Sequence, residues 1–322
     1  MGSVDCHNRL ILVPQMPVDM RYTSWWIAEL DRHLSKFYKD FVILGRTLPS
    51  HGDLRVFAPM DLALQYELEQ MEEYMKLDVT ENDVLLNCDL SYPGLFHTLL
   101  FHRRPGRAVA FCHATARNRY DIFTKVRQHK WLAERAAAGL YDSVLVASDY
   151  HMQKLRWPNL RCTNGLPLPP AYLLPTKAVG GREFLMGSVS RPCRQKVDRR
   201  VEGLLEETVG RKVHRFHHPY WKEYYTFLDR VKYLIITASE ETFGYQVMDA
   251  LLRGCTPIAP RCFSYPELLP DWLLYDASGT SAQKADCIAE IVGSGKTYND
   301  PDKPAAWSQN FYLELIRALK GK

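Results

Sequence analysis

The stretch ASEETFGYQVMDALLRGCTPIAP, residues 238–260, decides how this sequence is read. Just before it, Tyr233–Thr237 is a short apolar run of the kind that forms a buried strand. Glu240, Glu241 and Gly244 then make a turn, Tyr245 to Arg253 carries helical spacing, and Gly254 follows as the C-terminal stop. A strand-to-helix turn gathers open backbone N–H groups and the positive end of a helix dipole, which is a place for an anion. Glu241 and Asp249 are eight positions apart, so one carboxylate sits in the turn and the other about two turns along, facing a cleft. The plain alternative is an acid at a helix start and a solvated surface charge.

Outward from this stretch the same alternation repeats. In the second half Phe184–Val189, Val213–Phe216 and Thr256–Ala259 read as strands, between amphipathic runs at Val201–Val209, Trp221–Leu228, Gln246–Leu252 and Ala282–Ile291. In the first half Leu10–Val13, Phe41–Leu44, Val84–Cys88, Val109–Cys112 and Val144–Ala147 alternate with Trp25–Phe37, Leu62–Met75 and Leu132–Gly139. Apolar strands separated by helices predict parallel, doubly wound sheets with both faces covered. Between the halves, GLPLPPAYLLPTKAVGG (165–181) holds four prolines and three glycines, which suits a connection and forbids a regular element. The expected division is 1–168, a linker over 169–181, a second domain over 182–305, and a helix over 306–322 packing back on the first domain.

A length of 322 residues suits two α/β domains, and 46% hydrophobic with 12% aromatic residues excludes a largely disordered chain. The eight cysteines form no CxxC pair and no zinc-spaced cluster, so they read as thiols in a reducing compartment. No run approaches the ~18 apolar residues of a membrane span, and a cytoplasmic protein without stable membrane insertion is expected. Net charge is +4, unevenly spread: His97–Arg135 holds nine Lys/Arg against two acids. That imbalance predicts either an anionic partner or a solvated face.

Glu241-Thr242-Phe243-Gly244 with Asp249 resembles the Glu-x7-Glu signature of the retaining GT-B glycosyltransferases of family 4, the glycogen-synthase-like group. The second acid is shorter here by one methylene. GSVSRPCRQK (187–196) is similar to that family's Gly-x-x-x-Arg-x4-Lys segment. The resemblance implies two Rossmann-like domains facing across a cleft and a UDP- or GDP-sugar co-substrate. It places Arg191 and Lys196 on the donor diphosphate, Glu241 near the sugar, the amides of Thr242, Phe243, Gly244 and Tyr245 on donor oxygens, and Asp249 on ribose. In AVAFCHATARNRYD (108–121), His113 follows a strand and matches the family's histidine that contacts the donor sugar. No Asp-x-Asp occurs at a strand end, and without a metal the leaving group's charge must be met by cations and amides, so no cofactor and no metal are expected.

The family's Gly-Gly after the first strand is replaced by QMPVDMRYTSWW (15–26), where Tyr22, Thr23 and Ser24 are expected to cap the first helix and to meet the acceptor. GCTPIAPRCFSYPELLPDWLLYD (254–276) resembles the corresponding part of the mannosyltransferases that modify queuosine in tRNA. The short chain resembles virus-encoded enzymes that sugar DNA bases. Basic residues interleaved with Tyr120, Phe123 and Trp131 suit phosphate contacts with base stacking, so Arg117, Arg119 and Tyr120 are expected to meet a DNA or tRNA acceptor. A glycan or small-molecule acceptor, or a non-catalytic binding module on the same fold, are the other readings.

Overall fold

In the computed structural model, residues 9–18, 22–45, 60–91, 93–120, 124–176, 181–190, 195–216 and 220–322 are described. The chain divides into two compact units: Met1–Ala147 with Met152–Pro167 and Gln309–Lys322, and Ser148–His151 with Leu168–Ser308.

The first unit is built on a six-stranded sheet of β1 (Arg9–Val13), β2 (Asp40–Ile43), β3 (Asp83–Asn87), β4 (Arg107–Phe111), β5 (Ser143–Val146) and β6 (Leu160–Cys162). Its order is β2-β1-β3-β4-β5-β6 and every pairing is parallel. Leu10, Ile11, Leu12, Val84, Leu85, Ala108 and Val109 are all shut off from solvent, as both-face burial of a parallel sheet requires. The helices are α1 (Thr23–Leu34), α2 (Met60–Lys76), α3 (Arg127–Ala138) and α4 (Asp149–Leu155), the last beginning in the second unit.

The second unit carries β7 (Phe184–Ser188), β8 (Val213–Arg215), β9 (Val231–Ile235), β10 (Thr256–Pro260) and β11 (Leu274–Tyr275) in the order β11-β10-β9-β7-β8, again all parallel. Its helices are α5 (Arg199–Val209), α6 (Trp221–Arg230), α7 (Tyr245–Leu252), α8 (Tyr265–Leu268) and α9 (Ser281–Gly293). Asp198 caps α5 by accepting from the amides of Arg200 and Val201, and Gly210 ends it in the left-handed region at φ +67°. Arg253 and Asp229 form a buried ion pair; Arg253 also donates to the carbonyl of Pro175, and Arg182 donates to the carbonyls of Leu228, Asp229 and Arg253.

The last helix, α10 (Asp302–Leu319), has its final part, from Gln309, in the first unit. There Phe311 meets Trp26 and Phe111 with ring centroids 5.6 and 5.9 Å away, Tyr312 stacks on His33 at 3.7 Å, and Arg107 donates to the carbonyl of Ala318.

Candidate functional site

Both sheets contain a switch point, where successive connections leave a strand on opposite sides and open a crevice at the strand ends. In the second unit it lies between β7 and β9. Packing there is tight: a Cβ on Gly187 would come 2.6 Å from Cγ2 of Val231, so only glycine fits. The loop after β7 reaches Lys196, and the loop after β9 reaches Glu241. The Lys196 ammonium lies 2.8 Å from Oε2 of Glu241 and 3.2 Å from the carbonyl of Glu240. The amide of Ser239 donates to the carbonyl of Gln195 at 3.0 Å, and that of Asp198 to the Thr237 hydroxyl at 2.8 Å, so the two loops are stitched together.

Glu241 also accepts from the amide of Thr242 at 3.0 Å. Burial pushes its carboxyl up, but the Lys196 charge and hydrogen bond and the amides of Thr242 and Phe243 outweigh that, and it titrates below its ordinary value. Gly244 starts α7 at φ +104°, and a Cβ there would press on Tyr265 at 3.1 Å. Phe243 is buried, its carbonyl accepts from Ser264, and Thr242 is held through its carbonyl by Ser148. The start of α7 brings the positive end of a helix dipole beside this ion pair, which is a setting for a diphosphate.

Asp249 lies on α7 but is almost fully buried, and its two oxygens accept from the hydroxyls of Tyr224 and Tyr225 at 2.9 and 3.1 Å. Burial raises its carboxyl to about 7, against the opposing pull of the two tyrosines. Both tyrosines lie on α6 and had no visible link to the site in the sequence. Arg191 lies outside the described residues.

In the first unit, His113 follows β4 by two residues. Its Nε2 lies 3.0 Å from the carbonyl of Cys88; a carbonyl only accepts, so Nε2 carries the proton and Nδ1 is left as an acceptor. Tyr22, Trp26 and Phe111 surround the ring at centroid distances of 4.9, 4.8 and 4.5 Å. Burial pushes its pKa down to about 3, only partly opposed by the Cys88 carbonyl, so the imidazole stays neutral.

Thr23 and Ser24 do not cap α1 as expected. The N-cap position is Tyr22, which makes no side-chain cap bond, while the Thr23 hydroxyl is buried and accepts from the amide of Val18 at 3.2 Å. The chain enters α1 already in helical geometry, and the hydroxyl is used to tie down the preceding loop. Arg117 and Arg119 are exposed, with their guanidiniums over Trp131 at 4.5 Å and Tyr120 at 5.4 Å. Within the basic segment, Arg103, Arg104, Arg107, Arg127 and Lys130 all donate to backbone carbonyls, and Arg104 also pairs with Asp142 at 2.9 Å. The buried Glu134 carboxylate accepts from the Ala116 amide at 2.9 Å.

Among the described residues no group of three or more His, Cys, Asp or Glu is placed to hold a metal ion, and no helix is long and apolar enough to cross a membrane. All six described cysteines are free thiols.

No family model matches the chain. The tRNA-queuosine alpha-mannosyltransferase of Drosophila melanogaster is 36% identical over 80 residues, which span 25% of this chain and 21% of that protein, about a fifth of its length. Sucrose-phosphate synthase from Thermosynechococcus elongatus superposes with a TM-score of 0.64 at 14% identity, over 97% of this chain and 95% of that one. HepE of Anabaena, solved in complex with UDP, gives 0.59 at 12% identity over 98% and 100%. WaaG, a glycosyltransferase involved in lipopolysaccharide biosynthesis, gives 0.55 at 11% identity over 98% and 100%. The likeness runs the length of the chain and shows its fold, the GT-B fold of two Rossmann-like domains.

Proposed function

We propose that this chain is a glycosyltransferase that moves a sugar from a UDP- or GDP-linked donor to a hydroxyl acceptor. The observation that carries this reading is the Lys196–Glu241 pair, set at the switch point of the second sheet beside the glycine-started α7. The HepE complex with UDP, on the same fold, supports a nucleotide as the occupant.

A nucleoside diphosphate leaves with growing negative charge. Lys196, with Arg191 assigned by sequence resemblance, meets that charge together with the amides from Thr242 to Tyr245, and no metal is required. The Lys196 ammonium is then shared between Glu241 and phosphate oxygen, which frees the carboxylate to orient the sugar. Asp249 keeps two of its roughly four lone-pair sites for ribose hydroxyls, the others being filled by Tyr224 and Tyr225. The neutral His113 accepts from a sugar hydroxyl. The acceptor oxygen attacks from the face on which the diphosphate departs; the C–O bond to the acceptor forms as the bond to the diphosphate breaks, the acceptor proton passes to the phosphate oxygen, and configuration is retained.

The acceptor in this reading is a modified nucleobase of tRNA or DNA. Its support is the exposed basic surface around Arg117 and Arg119, and the name of the Drosophila relative. The test follows UDP or GDP release from UDP-glucose and GDP-mannose with tRNA, duplex DNA, single strands or glycan extracts, with and without EDTA. Release from one donor, stimulated by one nucleic acid and indifferent to EDTA, is expected. Stimulation by glycans alone would move the acceptor to a glycan, a strict metal requirement would remove the metal-free chemistry, and no release from any donor would leave a binding module.

A further inference from the structure

The turn between β9 and α7 carries the carboxylate that meets Lys196, and two serines from other segments of the second unit hold its backbone. The Ser148 hydroxyl donates to the carbonyl of Thr242, and the Ser264 hydroxyl donates to the carbonyl of Phe243 at 2.6 Å. Both serines are buried. A trans peptide is planar, with its carbonyl and its N–H pointing in opposite directions. A Thr242 carbonyl turned toward Ser148 therefore aims the Phe243 amide the other way, and that amide is one of the two that hold the Glu241 carboxylate. Ser264 fixes the next plane in the same manner, the one whose amide belongs to Gly244 at the head of α7.

A serine at a helix start ordinarily spends its hydroxyl on the amides of that helix. Ser264 precedes α8 and makes no such bond; its hydroxyl goes to the turn instead. Its neighbour Phe263 stands at φ +57°, a left-handed conformation that a bulky side chain seldom takes and that persists only where the surroundings impose it. The Phe263 ring meets that of Tyr150 at 5.8 Å. Ser148 precedes α4 and serves both purposes, accepting from the His151 amide at 3.2 Å while donating to Thr242. The amides of Asp149 and Tyr150 donate to the two Glu267 oxygens at 2.9 and 2.7 Å, so the start of α4 and α8 are braced against each other without the serine hydroxyls. Removing either hydroxyl thus frees the turn while leaving that brace in place.

We infer that Ser148 and Ser264 are positioning residues for group transfer: through the backbone of residues 242–243 they keep the Glu241 carboxylate aimed at the donor sugar and at Lys196. The inference rests on the glycosyltransferase reading and adds two buried residues that act at one remove from the donor.

The experiment follows nucleotide release from UDP-glucose or GDP-mannose, whichever wild type turns over, at saturating donor and across the acid limb of the pH profile. The variants are Ser148→Ala and Ser264→Ala, with Thr280→Ala, which removes the cap of α9, as a stability control. Melting curves check that each is folded. Each serine variant is expected to lower kcat about tenfold, the size of loss that a misplaced catalytic group brings. The acid limb moves to higher pH, because Glu241 is held less firmly by its amides while Lys196 and the Tyr265 ring, the other groups that act on it, are unchanged. Thr280→Ala lowers Tm and leaves both kcat and the limb as in wild type. If Ser148→Ala does not fold, Ser264→Ala decides. A wild-type kcat in the folded serine variants, a lower kcat with an unmoved limb, or an equal loss in Thr280→Ala overturns the inference while wild-type turnover keeps the glycosyltransferase reading standing. No release by wild type from either donor removes that reading, and the inference with it.

Discussion

The two sheets end in crevices of the same topology and opposite chemistry. At the end of the second sheet stand an ammonium, a carboxylate it neutralises, and a helix start opened by a glycine that no other residue replaces without strain. At the end of the first sheet stand a carboxylate bound to an amide, an imidazole kept neutral by burial, and a wall of Tyr22, Trp26 and Phe111. The first arrangement suits an anion; the second suits hydrogen-bond donors. The proposed transfer from a diphosphate to an alcohol would draw on this difference, which lies in the residues placed just beyond the strands and not in the fold.

The sharpest way to break this contrast is to remove the cation. Lys196→Ala is expected to lower turnover by about two to three orders of magnitude, as loss of a leaving-group stabiliser does, measured as nucleotide release at saturating donor. Next in size is the pH dependence of stability set by Asp249. Its folded pKa of about 7 is above the usual carboxylate value, so its contribution is lost as pH rises through the window between the two. Urea titrations from about pH 5 to pH 8 should show wild type losing about 2–3 kcal/mol from this group, a slope that Asp249→Asn abolishes. A smaller effect is expected for Arg117→Ala: nucleic-acid binding weakens alike for all sequences, and the slope of log K against log salt falls by about 1. The smallest is a predicted flat line. The imidazole proton shifts of His113 should not move between about pH 5 and pH 8, because its folded pKa is near 3. A midpoint near 6.5 would show an open, solvated ring and would dissolve the contrast.

The core of the second crevice was legible because its signals are local. A strand, a Gly-containing turn, a helix and a C-terminal glycine fall within 233–260, and β9, α7 and β10 appear there, with Gly254 at φ +71°. Lys196 was singled out only by resemblance; its approach to Glu241 is a contact across 45 residues that no periodicity encodes. Tyr224 and Tyr225 look like core positions of an amphipathic helix, although their hydroxyls hold both Asp249 oxygens and oppose the rise that burial imposes on its carboxyl. The hydroxyls of Thr23 and Ser24 read as helix caps in the sequence, whereas the Thr23 hydroxyl is spent on the loop backbone, a contact that the spacing does not encode. In the basic segment, net charge was readable but not the bonding of five of its nine cations to backbone carbonyls, since that depends on which parts of the chain come near.

The grip of Arg253 on Pro175 bears on where a gene fragment for the second unit should begin. A fragment starting at Arg182 discards that carbonyl and leaves a buried guanidinium with one acceptor fewer. One running from Leu168 to Ser308 keeps it, and brings its own ends together, since the Leu168 amide donates to the Ser308 hydroxyl at 3.2 Å.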